Sequence, residues 1–241
     1  MAGDFARGSS QLSESLSAGP VSQIELEVFD PNCRACSRLV SFLNAERRVF
    51  PDYHNAPVAP FGDPNARLLV VGLAPGFHGA NASGRPFTGD HAGLLLYRTL
   101  HKFGFANRPE SIARDDGLQL INCRITNAVK CVPPQNKPLP GEIRTCNRYL
   151  ASELQRLSPG TVIVALGVIA HEAVLIGLGM SASQQKFAHG NEFALANDMK
   201  LLNSYHCSRY NTQTRRLTED MFYAVFERAK ALVDSAAAAR I

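Results

Sequence analysis

Residues 67–90 read RLLVVGLAPGFHGANASGRPFTGD, and the fold follows from how that stretch changes character. Leu68, Leu69, Val70 and Val71 form an apolar, partly β-branched run with the signature of a strand buried on both faces. A loop with Gly72, Gly76, Gly79, Gly84, Gly89, Pro75 and Pro86 follows, a density of Gly and Pro that lets backbone come close to a ligand. Asp90 then stands where a helix would begin, with Leu96, Leu100 and Phe103 on one face. Strand, glycine-rich loop and helix N-terminus is how α/β sheets bind ligands at their carboxyl edge. The loop has neither the GxGxxG of dinucleotide binding nor the GK[ST] of a P-loop.

Similar units recur along the chain. Residues 118–131, LQLINCRITNAVKC, predict a second central strand ending near Asn127. After a proline-rich loop, Pro140 opens a helix with Ile143, Cys146, Leu150, Leu154 and Leu157 on one face. Residues 161–166, TVIVAL, predict a third strand, followed by a helix over 167–176. Residues 187–196 predict a short strand or hairpin, and residues 200–205 a fourth strand ending at His206. Thr218 caps a last helix with Met221, Phe222, Val225, Phe226, Ala229 and Val233 inward. Alternating strands and helices predict a three-layer α/β/α sandwich around a central, mainly parallel four-stranded sheet. The organisation expected is a flexible tail over 1–22, one catalytic domain over 23–235 and a C-terminal tail over 236–241. The polar ends of three strands, at the Gly72 loop, Asn127 and His206, are expected to meet in one crevice.

Composition narrows the classes. The 241 residues are 45% hydrophobic, enough for a sizeable core, and no apolar run is long enough to span a membrane. Ser/Gly-rich residues 1–20 lack the apolar segment of a secretory signal, so a cytoplasmic location is expected. Twenty-five basic against 21 acidic residues give +4, which permits a polyanionic partner without demanding one. Six cysteines in a chain of this kind point to metal, catalytic or buried roles rather than disulfides. Cys33 and Cys36 form a C-x-x-C, with Cys131 and Cys146 farther on; by spacing alone the four suit zinc, an iron–sulfur cluster or plain burial. Cys123 reads as strand packing.

Three blocks together resemble one family: GLAPGFHGANASGRPFTGD at 72–90, ITNAVKCVPP at 125–134 and NSYHCSRYNTQTRRLT at 203–218. They are similar to the uracil-DNA glycosylases of family 5, the B type, over roughly residues 33–226. The resemblance implies a monofunctional DNA glycosylase of base excision repair. Such an enzyme flips uracil, and by extension hypoxanthine or other deaminated bases, out of DNA and removes it by hydrolysis, acting as a monomer. By that resemblance Gly72, Leu73, Ala74, Pro75 and Gly76 border the base, and Phe87 stacks on it. Asn127 bonds its edge, His206 faces its O2, and Asp90 activates or positions water. Arg209 and Tyr210 enter the DNA, and Cys33, Cys36, Cys131 and Cys146 bind a structural 4Fe-4S cluster. Ala74-Pro75 matches family 5, in which this loop lacks the polar water-activating residue of other uracil-DNA glycosylases. Two departures are Ala82-Ser83 for the usual Arg-Thr, which trims a polar contact, and Cys207 for the usual Pro, which loosens the loop after His206. The alternatives are a superfamily member that binds or covalently attaches to lesions without turnover, and a hydrolase of small nucleotides.

Overall fold

The computed structural model describes residues 27–181 and 183–238. The expected tail over 1–22 lies outside them. The helix α1 (Ser37–Val49) precedes strands β1 (Phe61–Gly62) and β2 (Leu68–Gly72). A single turn, α2 (Ala80–Ser83), and helix α3 (His91–Lys102) lead to β3 (Cys123–Asn127). Then come α4 (Pro140–Gln155), β4 (Val162–Leu166), α5 (Val168–Gly177), β5 (Glu192–Ala194) and β6 (Lys200–Ser204). A short α6 (Arg209–Gln213) and the long α7 (Glu219–Ala238) end the described chain. Because α7 runs to Ala238, the C-terminal tail expected from residue 236 begins inside a helix.

The strands form one six-stranded sheet in the order β1-β3-β2-β4-β6-β5. The four inner strands are parallel, as the sequence predicts, and the two edges pair antiparallel. The edges explain the difference from a four-stranded sheet. The strand β5 falls within the hairpin expected over 187–196, while β1 has only two residues in a proline-rich loop, too few to show a period.

Every residue of β2 and β4 is buried, which is why they read as continuous apolar runs. Side chains alternate across the sheet. Leu68 and Val70 join Leu96, Leu100, Phe222 and Phe226 beneath α3 and α7. Leu69 and Val71 join Leu150, Leu154 and Val174 beneath α4 and α5 on the other face. A third, smaller cluster places Leu39 and Leu43 of α1 against Val129, Cys131, Cys146 and Tyr149.

The connections place the site. From β2 the chain passes through α3 to β3 on one side; from β3 it passes through α4 over β2 to β4 on the other. The order therefore reverses at β2, the position where open α/β sheets bind ligands beyond their strand ends. Gly72 pairs in register with Asn127, so the loops after β2 and β3 leave the sheet side by side. No helix among the described residues is long and apolar enough to cross a membrane.

Candidate active site

A crevice of about 530 Å³ opens at this reversal point, walled by Leu73, Ala74, Gly76, Phe77, Phe87, Asp90, Asn127 and His206 among others. It brings together four side chains, Phe87, Asp90, Asn127 and His206, from three separate strand ends. His78, within the loop, and His91, just after it, also line it. Pro75 is buried and off the wall, and Gly72 lies behind Phe87 and Asn127. Arg209 is on the rim; Tyr210 beside it is 70% exposed and off the wall, a side chain presented outward.

The loop from 84 to 90 is shaped by a strained aromatic. Phe87 has φ +54°, a left-handed conformation that costs a bulky residue roughly 1–3 kcal/mol and persists only where neighbours impose it. Several do. Gly93 leaves room for the Phe87 carbonyl, since a Cβ there would lie 1.9 Å from that oxygen. Tyr97 donates its hydroxyl to the Pro86 carbonyl at 2.6 Å. The Arg85 guanidinium donates to Thr88 Oγ1, Ser111 Oγ, the Arg114 carbonyl and the Asp116 carboxylate, all within 3.1 Å. Both partners of the Arg85–Asp116 ion pair are about 5% exposed. Burial works against the Asp116 charge, but Arg85 and the N–H groups of Leu118, Ile112 and Ala113 overcome it and hold the carboxyl well below its usual range. Arg85 carries no signal in the sequence beyond sitting beside Phe87; its role needs Ser111 and Asp116, which are far along the chain.

Phe87 points its ring at His206, the two rings lying 6.0 Å apart and 28° from parallel. Its tip also meets the space above Gly72: a Cβ on Gly72 would stand 2.7 Å from Phe87 Cζ and 2.4 Å from Asn127 Oδ1. Only a glycine at the end of β2 lets both side chains reach the crevice. Asn127 is buried, and its Oδ1 has no hydrogen-bond partner. An unpaired buried acceptor costs roughly 1–3 kcal/mol, which a ligand's N–H would relieve.

Asp90 is the N-cap of α3, its Oδ1 accepting the Gly93 N–H at 2.8 Å. Its Oδ2 faces Gly79 and Gly76, where Cβ atoms would stand 2.7 and 3.2 Å away. Burial raises its carboxyl above the usual carboxylate range, although the Gly93 and Ala92 N–H groups act the other way. Desolvation pulls His206 down to about 4, so the imidazole is neutral at physiological pH. A neutral imidazole can donate a hydrogen bond without carrying charge.

The loop after His206 is firmer than Cys207 in place of proline suggests. Cys207 is fully buried, Asn211 Nδ2 donates to the His206 carbonyl at 2.8 Å, and Ser208 caps α6. Packing and side-chain bonds do what a fixed φ would have done. His91 and Thr212 Oγ1 are bonded at 3.0 Å, tying α6 to the start of α3. At the other departure, Ser83 keeps a hydroxyl bonded to the Gly79 carbonyl at 3.0 Å, so Ala82 is the position without a polar side chain.

The four cysteines lie behind the crevice wall, in a cluster against which Ala74 and Phe77 pack. Cys33, Cys36, Cys131 and Cys146 line one cavity with Leu39, Val40 and Val129. The Lys130 N–H points at Cys146 Sγ at 3.2 Å and Arg148 at Cys33 Sγ at 3.5 Å. Among the described residues no group of three or more His, Cys, Asp or Glu is arranged to hold a metal ion. Four soft thiol donors around one shared void are of the chemical type that suits zinc or an iron–sulfur group. Cys123 and Cys207 are buried elsewhere, in the core beneath α3 and α7.

A glycine-shaped crevice at the reversal point of a parallel sheet, with an aromatic, an amide, an imidazole and a carboxylate converging on it, defines a class of protein. A family model of the uracil DNA glycosylase superfamily matches residues 59–230. A type-5 uracil-DNA glycosylase of Thermus thermophilus is 48% identical over 205 residues, covering 83% of this chain and 93% of that protein. Another, from Pyrobaculum aerophilum, is 43% identical over 204 residues, covering 83% and 88%. A type-4 uracil-DNA glycosylase of Thermotoga maritima is 30% identical over 178 residues, covering 71% and 80%. The chain belongs to the uracil DNA glycosylase superfamily, and within it to the type-5 branch.

Proposed function

We propose that this chain is a monofunctional DNA glycosylase that removes uracil from DNA by hydrolysis, a reading supported by relatives named type-5 uracil-DNA glycosylases. The observation that carries the reading is the convergence of Phe87, Asn127, His206 and Asp90 on one crevice. A base inside a duplex is stacked and paired, so it must turn out of the helix to be reached. Phe87 offers the flipped base a ring face. Asn127 Oδ1 takes the N3–H of uracil; cytosine, with an unprotonated N3, would turn a lone pair toward it. Hypoxanthine carries an N–H beside a carbonyl in the same way, so the same acceptor supports its removal and that of similar deaminated bases.

Breaking the bond between C1′ and the base builds cationic character on the sugar and negative charge on the leaving base. His206, neutral, donates to the base O2 and stabilises that anion. The Asp90 carboxylate stands at the crevice wall to orient or deprotonate water and to offset the sugar cation. No lysine lines the crevice among the described residues, which favours water over an amine as the nucleophile. Arg209 on the rim and the exposed Tyr210 beside it engage the DNA. On this reading it works as a monomer, on DNA in the cytoplasm. The direct test is release of free uracil from a deoxyuridine-containing duplex. The intact protein is expected to excise it, and His206→Ala to slow excision roughly 10²–10³-fold, the worth of one preorganised donor. Release of no base, or full activity in the variant, would sink the assignment.

The same reading gives the four cysteines a 4Fe-4S cluster, supported by their common cavity and by the two N–H groups aimed at sulfur. Bound there, it would supply structure by joining α1, the segment at Cys131 and α4. The purified protein is expected to be brown, absorbing broadly near ~400 nm, with iron and sulfide in equal amounts. In Cys146→Ser the colour and iron should fall together with the unfolding temperature; a colourless protein carrying zinc alone would refute the cluster.

A further inference from the structure

The loop over residues 107–117 packs beside the crevice wall at Gly89, while none of its own residues lines the crevice. It is bolted to the segment that carries Phe87 and Asp90. Ser111 Oγ lies 2.6 Å from both Thr88 Oγ1 and the Arg85 guanidinium. The Ser111 carbonyl accepts the Gly89 N–H at 3.2 Å, and Gly89 is itself on the crevice wall. The next residue, Ile112, is 74% exposed, the most exposed of the large apolar side chains described. Its backbone is nonetheless fixed: Asp116 Oδ2 accepts the Ile112 N–H at 2.8 Å and the Ala113 N–H at 3.2 Å, while holding Arg85. A single exposed isoleucine on a free loop would need no explanation. One whose backbone is held by a buried ion pair, next to a residue bonded to the crevice wall at Gly89, does.

Resting on the glycosylase reading above, we propose that Ile112 is an apolar wedge that enters the DNA beside the flipped nucleotide, distinct from Arg209 and Tyr210 on the other loop. Charge points to a wedge rather than a phosphate grip. On this loop Arg108 and Arg114 are balanced by Glu110 and Asp115, and Asp116 is spent on Arg85. Apolar side chains inserted between base steps unstack them and kink the duplex, which offsets part of what a nucleotide loses on leaving the stack. A wedge already rigid in the free protein loses little entropy on insertion. The step is one of shape only; no bond is made or broken by it.

The test compares Ile112→Ala with wild type under single-turnover conditions, on uracil opposite adenine in a duplex and on the same strand alone. The duplex-to-single-strand rate ratio is expected to fall about tenfold, since about 1.4 kcal/mol of unstacking help is a factor of ten. Ile176→Ala, an exposed isoleucine on α5, should leave the ratio unchanged. An unaltered ratio in Ile112→Ala overturns the wedge, whatever the absolute rates. A second readout is independent of excision: 2-aminopurine placed beside uracil should brighten when wild type binds the duplex, and much less with Ile112→Ala. Equal brightening, or none with wild type, also overturns it. If no base is released but the fluorescence differs, the wedge stands and the glycosylase reading falls.

Discussion

Asp90→Asn is expected to lose uracil excision by roughly 10²–10³-fold while becoming harder to unfold at neutral pH. The first effect follows from removing the crevice's carboxylate, the group that orients or deprotonates water; acid–base groups in such positions are worth about 10²–10⁴. The second follows from the cost of burying its charge. Burial raises the Asp90 carboxyl above its ordinary range, so any stability tied to its proton is complete at low pH and disappears as pH rises through the folded-state pKa. At neutral pH the ionised side chain is a burden on the fold. Asparagine keeps the N-cap, since Gly93 N–H can still be accepted, and carries no charge. Thermal unfolding followed at pH 7 and near pH 4 checks this: the variant's advantage should be clear at pH 7 and shrink as wild-type Asp90 takes up its proton. In wild type the acid limb of excision should sit above the ordinary aspartate pKa, because burial raises Asp90. A variant of unchanged activity, or one less stable at neutral pH, would show that Asp90 is no more than a helix cap.

The largest loss of stability is expected from Arg85→Met. It leaves the Asp116 carboxylate buried with its backbone donors but without its cation, and breaking a buried pair from one side costs about 3–5 kcal/mol. Because the folded Asp116 titrates well below its unfolded range, the pair's contribution is full above about pH 4 and fades on acidification, so the gap between variant and wild type narrows in acid. Denaturant unfolding at two pH values measures both. Activity should fall as well, since Arg85, Thr88 and Ser111 hold the strained turn at Phe87. Arg85→Lys keeps the charge but loses the planar fork that reaches four acceptors, and should recover part of the stability and little of the excision.

Much of the site was legible from local pattern. Apolar runs with no alternation mark β2 and β4 because both faces of those strands are covered. Asp90 reads as a cap and is one; Pro140 and Thr218 mark helix starts where α4 and α7 begin. The ends of β2, β3 and β6 converge, as parallel topology requires. The two edge strands were less visible, for a pair or trio of residues has no measurable period.

By itself the sequence determined the layers, the strand ends and the residue types that reach the crevice, because those depend on periodicity and on glycine, proline and capping chemistry over a few residues. Only the tertiary structure decided how residues 67–90 work as a site. The left-handed turn at Phe87 exists because Gly93, Tyr97 and the Arg85–Asp116 pair impose it, and those groups meet only after α3 and the 107–117 loop have packed. Burial, likewise, sets His206 neutral and Asp90 reluctant to ionise. Neither property belongs to a residue type; each comes from water excluded by neighbours distant in the chain.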